Sequence, residues 1–282
     1  MTRDCSPLND LYIYYIQGDV EHYTETAWDD FIGNWKEDNF SFLFFSRPSH
    51  DKVERLLKLR PELTLLDHYH MTYEEWQGGK VEPFKIGSFF ISPPWNTQEA
   101  EDKRAGSDSE FHIVLDPGVV FGTGTHPTTR DCLELLEQVC SEENIETVLD
   151  LGTGTGLLAI AAASMGCPRT VAVDYNFLAA KTARKNTVLN RLEHRILVAR
   201  GKAEDFTDYP ADLFIANIHY DVMKHLLNSE GFLCKKWFVL SGLLRSQARD
   251  VAFKLSQLPV TILDEKEQDG IWHTFLGRIR NF

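Results

Sequence analysis

The spacing of apolar residues divides the chain into two regions with different patterns. In residues 1–72, short apolar stretches alternate between strand-like and helix-like spacing. In residues 111–282, runs typical of buried strands alternate with helical stretches, which is the pattern of a parallel sheet covered by helices on both faces. We therefore predict a small α+β domain and a larger α/β domain, joined by a linker region at residues 73–110.

The first region is predicted to contain three strands and two helices. The strands are expected at residues 11–16, 41–45 and 63–66. Ala27, Phe31 and Trp35 recur at four-residue spacing, which favours one face of a helix. Ser49 is placed to cap a second helix, which Pro61 is expected to end.

The linker region has a mixed pattern. Gly78 and Gly79 interrupt the preceding periodicity, and residues 84–91 have the apolar character of a strand. Residues 97–109 are polar and show no apolar period, which predicts a mobile loop.

The second region is predicted to contain a sheet of seven strands. Helices are expected at residues 128–140, 157–165 and 179–189. Strands are expected at residues 147–151, 170–173, 196–199, 213–216 and 238–241, followed by an antiparallel hairpin of residues 260–263 and 272–279. In such a sheet, ligands bind outside the carboxyl ends of the parallel strands.

A glycine-rich turn follows the first of these strands. Residues 150–156 have the sequence Asp-Leu-Gly-Thr-Gly-Thr-Gly, in which Gly152 and Gly154 allow a ligand to approach the backbone closely. A dinucleotide site would have Gly-x-Gly-x-x-Gly, and a phosphate-binding loop would end in Gly-Lys-Ser/Thr, so both fit less well. The spacing favours S-adenosylmethionine as the cofactor, with a purely structural glycine turn as the alternative.

Acidic residues follow the next two strands. Asp174 ends the second strand, where a carboxylate can accept hydrogen bonds from both hydroxyl groups of a ribose. Glu204 and Asp205 follow the third strand and are candidates to accept a hydrogen bond from an adenine amino group. A solvated acidic loop is the alternative for these two residues.

The fourth strand ends at Asn217 and Ile218. The amide oxygen of Asn217, together with a main-chain carbonyl, can hold an amine by its hydrogens and direct the nitrogen lone pair at a methyl group. The alternative is that Asn217 caps the helix that begins near Asp221. His219 and Tyr220 are candidates to line the same pocket, and no general base is assigned.

Residues 115–129 form an unusual loop of glycine and threonine residues that leads into a helix. Thr128 or Thr129 is expected to cap this helix, and the main-chain donors of the loop can contact a ligand. His126 is interpreted as a structural hydrogen-bonding residue rather than a general base, because no Ser or Cys nucleophile lies in a recognisable elbow near it.

Composition and charge narrow the classes of function. The 282 residues carry a net charge of −13, which is not the basic footprint of a nucleic-acid-binding protein and suits a basic partner. The five cysteines lie far apart without a zinc-binding pattern, so we expect reduced thiols and no metal. The longest apolar run, residues 157–165, is shorter than the ~20 residues that span a bilayer, and no apolar targeting core opens the chain. We therefore expect a cytoplasmic protein.

The motifs together resemble the PrmA family, the methyltransferases that modify ribosomal large-subunit protein L11. Residues 115–129 match the family pattern Leu-Asp-Pro-Gly-x-x-Phe-Gly-Thr-Gly-Thr-His-Pro-Thr-Thr nearly residue for residue. Further matches are the glycine-rich turn, Asp174, Asn217-Ile218 and the sequence Asp-Gly-x-Trp at residues 269–272. The resemblance covers residues 73–282, whereas residues 1–72 match in their α+β pattern and position only.

This resemblance implies a fold, a cofactor and a reaction. The fold would be a seven-stranded Rossmann-like methyltransferase domain preceded by a ferredoxin-like substrate-recognition domain. The reaction would be transfer of methyl groups from S-adenosylmethionine to lysine and N-terminal amines of the ribosomal protein, without direct contact with nucleic acid or membrane. The implied cofactor contacts are Thr129, Gly152, Asp174 and Asn217, to which the residue patterns above add Gly154 and Glu204. Asn217 and Ile218 would orient the amine, and the oligomeric state stays open, a monomer being compatible with the sequence.

Two other functions remain as alternatives. The family usually has Asn-Ile-Leu-Ala after the fourth strand, whereas this chain has His219 and Tyr220 at the last two positions. A methyltransferase of the same fold that acts on another protein lysine or on a small-molecule amine is therefore the second hypothesis. A cofactor-binding but inactive interaction module is the third, and the intact glycines, Asp174 and Asn217 argue against it.

Overall fold

The computed structural model describes residues 9–20, 28–96 and 110–280. The chain divides into two compact units, Met1–Glu82 with Asn176–Leu178, and Pro83–Tyr175 with Ala179–Phe282. The loop predicted at residues 97–109 lies outside the described residues.

The first unit contains a four-stranded antiparallel sheet. Its strands are β1 (Asp10–Gln17), β2 (Phe31–Glu37), β3 (Phe40–Phe45) and β4 (Thr64–Thr72). They lie in the order β2-β3-β1-β4. The strands predicted at residues 11–16 and 41–45 are confirmed, and the one predicted at residues 63–66 continues to Thr72.

Helix α1 (His50–Leu59) packs on one face of this sheet, and the short helix α2 (Tyr73–Gln77) follows β4. Val53 and Leu56 of α1 share a core with Tyr14 and Phe45 of the strands. Ser49 occupies the position before α1, as predicted, but its side chain caps no helical N–H group. Its hydroxyl instead donates to Oδ2 of Asp30 at 2.5 Å.

The helix predicted around Phe31 and Trp35 is wrong, because these residues belong to strand β2. A spacing of four residues fits the strand period of two as well as it fits a helix, so the spacing alone does not distinguish them. A bulge between Phe31 and Gly33 interrupts the register, so that Phe31 pairs with Phe45 and Trp35 pairs with Phe42. Ala27 lies outside the described residues.

The second unit begins with a small three-stranded sheet of β5 (Phe84–Ile86), β6 (Phe89–Ser92) and β7 (Phe111–Val114). β5 and β6 are antiparallel, and β7 is parallel to β6. The single strand predicted at residues 84–91 is therefore wrong. Gly87 adopts a φ of +53° at a tight hairpin turn. The turn was not predicted because apolar residues on both sides of it read as one continuous strand.

A seven-stranded mixed sheet forms the centre of the second unit. Its strands are β8 (Thr147–Leu151), β9 (Arg169–Asp174), β10 (Ile196–Arg200), β11 (Leu213–Asn217), β12 (Trp237–Leu244), β13 (Val260–Gln268) and β14 (Trp272–Ile279). They lie in the order β10-β9-β8-β11-β12-β14-β13. The first five strands are parallel, and β14 is antiparallel to both β12 and β13, which confirms the predicted hairpin.

Helices cover both faces of this sheet. They are α3 (Pro127–Glu142), α4 (Leu157–Ser164), α5 (Phe177–Leu189), α6 (Tyr220–Asn228) and α7 (Arg245–Ser256). Val148 packs in a core with α3 and α4, whereas its neighbour Leu149 packs in a second core with α6 and α7. Successive strand residues face opposite sides of the sheet, so each face has its own core with helices. This confirms the predicted layered α/β fold. No helix among the described residues has the length and apolar content needed to cross a membrane.

Candidate active site

The glycine-rich turn after β8 is packed so tightly that its glycines have no room for side chains. Gly152 and Gly154 have φ angles of +74° and +56°. A Cβ on Gly152 would lie 2.0 Å from Cγ2 of Ile218, and a Cβ on Gly154 would lie 2.3 Å from the carbonyl oxygen of Phe121. The turn therefore requires glycine for its backbone conformation and for close approach of its neighbours.

A cavity of about 310 Å³ opens at the carboxyl ends of β8, β9, β10 and β11. Its wall includes Gly152, Asp174, Tyr175, Glu204, Ile218 and Val222. Four of the predicted site residues thus line one cavity, namely Gly152, Asp174, Glu204 and Ile218. Asn217 and Gly154 are not part of its wall. The volume lies within the range of small-molecule sites in proteins.

Asp174 is held in place by the glycine-rich turn. The backbone N–H of Gly154 donates to Oδ2 of Asp174 at 3.0 Å, and the N–H of Gly201 donates to the Asp174 carbonyl oxygen at 3.0 Å. These two hydrogen bonds fix Asp174 at the carboxyl end of β9, beside the cavity. Neither Gly154 nor Asp205 is part of the cavity wall, and Gly154 is connected to the cavity by its hydrogen bond to Asp174.

Asn217 lies at the end of β11, where its amide group is oriented by helix α3. Its Nδ2 donates to Oγ1 of Thr128 at 3.3 Å and to Oγ1 of Thr129 at 3.4 Å. Both threonines are 1% exposed, so Thr129 lies behind Asn217 rather than on the cavity wall. Among the described residues, none donates a hydrogen bond to Oδ1 of Asn217, which leaves this oxygen as an acceptor. The capping role for Asn217 is wrong, because His219 precedes α6 and accepts from the N–H of Asp221.

His126, rather than Thr128 or Thr129, caps helix α3, so the predicted cap is wrong. Pro127 occupies the first helical position, so Thr128 and Thr129 lie in the first turn of the helix. There their hydroxyl groups accept hydrogen bonds from Asn217. Nδ1 of His126 lies 2.8 Å from Oγ1 of Thr128 and accepts from its backbone N–H. Burial lowers the pKa of His126, which fits the structural role predicted for it.

Asp150 is a buried carboxyl group beneath the glycine-rich turn. It is 1% exposed, and Oγ1 of Thr153 donates to its Oδ2 at 2.5 Å. Burial raises the pKa of Asp150 to about 7. The sequence motif included Asp150 but did not indicate its raised pKa, because a motif does not show how completely a side chain is buried.

Gly242 lies beside two of the predicted site residues, Asn217 and Ile218, and the sequence analysis did not single it out. It lies in β12 with a φ of +82°, and a Cβ on it would lie 3.0 Å from the Ile218 carbonyl oxygen and 3.1 Å from Oδ1 of Asn217. The available signal was the Ser-Gly pair inside an otherwise apolar strand, which suggests a bulge or a close backbone approach.

His219 and Tyr220 are engaged in structural contacts. His219 caps α6, and the hydroxyl of Tyr220 donates to Oδ2 of Asp250 at 3.0 Å. Within residues 9–20, 28–96 and 110–280, no group of three His, Cys, Asp or Glu side chains is arranged to hold a metal ion.

Comparisons of this chain with a family model and with curated proteins point to the same family. The family model described as ribosomal protein L11 methyltransferase (PrmA) matches residues 54–280. The chain is 35% identical over 209 residues to a ribosomal protein L11 methyltransferase of Desulforamulus reducens, covering 72% of this chain and 65% of the relative. It is 34% identical over 216 residues to one of Anoxybacillus flavithermus, covering 73% and 65%. The chain thus spans about 65% of the length of these curated relatives.

A solved structure supports the fold. The ribosomal protein L11 methylase of Lactobacillus delbrueckii subsp. bulgaricus superposes with a TM-score of 0.58 at 24% identity, covering 71% of this chain and all of that structure. The match of the family model extends from within helix α1, through the glycine-rich turn and Asn217, to the end of the last strand. The chain therefore belongs to the ribosomal protein L11 methyltransferase (PrmA) family.

Proposed function

We propose that this chain is an S-adenosylmethionine-dependent protein methyltransferase that modifies amines of ribosomal protein L11. The observation that carries the proposal is the oriented amide of Asn217. Its Nδ2 is bound to Thr128 and Thr129, and its Oδ1 remains as an acceptor beside the Ile218 carbonyl. Two acceptors next to a cavity at the carboxyl ends of parallel strands suit an amine that must meet a bound methyl donor.

The residues at the cavity fit the proposed cofactor. The carboxylate of Asp174, fixed by the N–H of Gly154, is suited to bind ribose hydroxyl groups, and Glu204 is placed to accept from an adenine amino group. Gly152 keeps the wall beneath the ligand free of a side chain. Thr129 would contribute through Asn217. When bound, S-adenosylmethionine supplies a methyl group on a positively charged sulfur.

The amine must be neutral before it can accept the methyl group. Removing a proton from a lysine with a reference pKa near 10.4 costs about 4 kcal/mol at pH ~7.5. Desolvation of the lysine beside Oδ1 of Asn217 and the Ile218 carbonyl would lower this pKa, because burial disfavours the charged form. The two acceptors would then direct the lone pair towards the methyl group.

No side chain is assigned as a general base. Tyr220 is bound to Asp250, and burial together with this carboxylate raises the pKa of Tyr220. His219 caps α6. Both residues are therefore assigned structural roles, and we expect the proton of the substrate amine to leave to solvent.

The finer architecture is part of the proposal. The strand order β2-β3-β1-β4 supports a ferredoxin-like fold for residues 1–72, acting in substrate recognition, and the order of the large sheet supports a Rossmann-like methyltransferase domain at residues 111–282. Residues 73–110 would join them. A basic ribosomal protein as partner suits the net charge of −13, and the location that we propose is cytoplasmic.

Transfer of a radiolabelled methyl group tests the proposal. The chain is incubated with S-adenosylmethionine labelled in the methyl group and either purified L11 or a protein extract lacking L11. Label on L11 supports the proposal. Label on other proteins or small amines but not on L11 supports the second hypothesis, and cofactor binding without transfer supports the inactive module.

A further inference from the structure

Gly242 lies directly beside both proposed amine acceptors. A Cβ built on it would contact the Ile218 carbonyl oxygen at 3.0 Å and Oδ1 of Asn217 at 3.1 Å. A donor nitrogen that binds these oxygens must come within about 2.7–3.2 Å of each of them. A side chain at position 242 would therefore take up space around the two oxygens that the incoming amine needs.

A bulge in β12 places Gly242 at this position. The pairing of β12 with β14 shifts register between Leu240 and Leu243, and Gly242 has a φ of +82° within that shift. Ser241 fixes the bulge, because its hydroxyl lies 2.6 Å from Oγ1 of Thr274 and donates to the carbonyl oxygen of Thr128 at 3.4 Å. Ser241 and Thr274 are fully buried, whereas Gly242 is partly exposed.

We propose that Gly242 keeps the amine site open, because its missing side chain leaves the Asn217 and Ile218 oxygens accessible to a substrate nitrogen. The proposal rests on the proposed function. Gly242 makes no chemical contribution of its own, so its effect is confined to amine binding and transfer. The cofactor cavity includes Gly152, Asp174, Glu204 and Ile218 but not Gly242, so a side chain at position 242 is expected to change cofactor affinity by less than about twofold.

Gly242→Ala tests the proposal, with Gly166→Ala as the matched control. Gly166 belongs to the same unit and has a φ of +109°, but a Cβ on it would meet nothing within 4 Å. Both substitutions strain the backbone, and only Gly242→Ala covers the acceptors. We expect kcat/KM for L11 to fall at least tenfold in Gly242→Ala and to stay within twofold in Gly166→Ala. The Kd for S-adenosylmethionine, measured by calorimetry, should stay within twofold in both.

The outcomes separate this inference from the proposed function. If wild-type protein transfers methyl groups to L11 and Gly242→Ala does so equally well, or if the variant loses cofactor affinity in parallel with turnover, the role of Gly242 is overturned. If wild-type protein transfers nothing to L11, the proposed function fails and this inference fails with it. Should Gly242→Ala not fold, Gly242→Asn repeats the test, because Asn tolerates positive φ and its side chain covers the same oxygens.

Discussion

At the scale of single residues, the two aspartates beside the glycine-rich turn have opposite environments. Asp174 lies at the cavity, held by the N–H of Gly154, whereas Asp150 is enclosed beneath the turn. Because an accessible carboxylate can bind a ligand and an enclosed one cannot, we expect the first to determine cofactor affinity and the second to determine stability.

Asp174→Ala is expected to weaken S-adenosylmethionine binding by more than tenfold while the fold stays intact. Loss of hydrogen bonds to a charged group removes roughly 1.5–3 kcal/mol. Isothermal titration calorimetry measures the effect, with Asp205→Ala as a control in the same acidic region but outside the cavity wall. Equal affinity in wild type and Asp174→Ala would remove the ribose assignment.

Asn217→Ala is expected to lower turnover on L11 at least tenfold and to lower the free energy of unfolding by only about 1 kcal/mol. The small stability effect follows because the bonds from Nδ2 to Thr128 and Thr129 are both longer than 3.2 Å. Steady-state kinetics and urea unfolding measure the two quantities. A variant that loses stability but keeps its turnover would show a purely structural role.

Asp150 should make stability depend on pH. Its pKa is about 7 in the folded chain against about 3.9 when unfolded, so the folded state binds the proton more tightly. The contribution of protonated Asp150 to the free energy of unfolding is then fully present below about pH 4 and is lost as the pH rises through about 7. Relative to Asp150→Asn, the wild type should lose roughly 2–3 kcal/mol of unfolding free energy between about pH 5 and pH 7. Parallel urea-unfolding profiles of the two proteins would contradict this.

At the scale of secondary-structure elements, the sequence predicted the second unit better than the first. Buried parallel strands such as β11 are short apolar runs, and helices separate them, so their pattern is distinctive. Strand β2 was predicted as a helix because a four-residue spacing in the sequence fits both periods. The sequence does not show the bulge that pairs Phe31 with Phe45 and Trp35 with Phe42. The cap of α3 was misplaced because Pro127 at the first helical position shifts the start of the helix, which makes His126 the cap.

His126→Ala should lower the free energy of unfolding by about 1 kcal/mol, because the first turn of α3 loses its side-chain cap. His126→Asn should keep most of the stability, since Asn is a favourable cap. Urea unfolding of the three proteins makes the comparison. Equal losses in both variants would show that His126 stabilises α3 by packing against Phe121 and Trp272 instead.

At the scale of the whole molecule, the order of the large sheet explains which site residues were predictable. β8 lies between β9 and β11, so the loops after these three strands meet at one edge. Gly152 follows β8, and Asp174 and Asn217 end β9 and β11, so the sequence pattern could predict that all three lie at this edge. The contact of Thr128 with Asn217 joins residues 89 positions apart, and the approach of Gly242 depends on a bulge, so neither is visible in local patterns.

Net charge gives a prediction about the partner. With 42 acidic and 29 basic residues, the chain should attract a basic protein, and added salt should screen this attraction. We expect the KM for L11 to rise several-fold between about 50 and about 300 mM NaCl, while the Kd for S-adenosylmethionine changes much less. A KM for L11 that is independent of salt would exclude electrostatic steering.

Asn217 and Ile218 are proposed to present an amine of L11 to a bound methyl donor. Mass spectrometry of purified L11 after incubation with the chain and S-adenosylmethionine tests this role. We expect mass increases of whole methyl units that map to lysine side chains or the N-terminal amine, and a large reduction with Asn217→Ala. Unmodified L11 in the presence of protein with confirmed cofactor binding, or methyl groups on side chains other than amines, would contradict it.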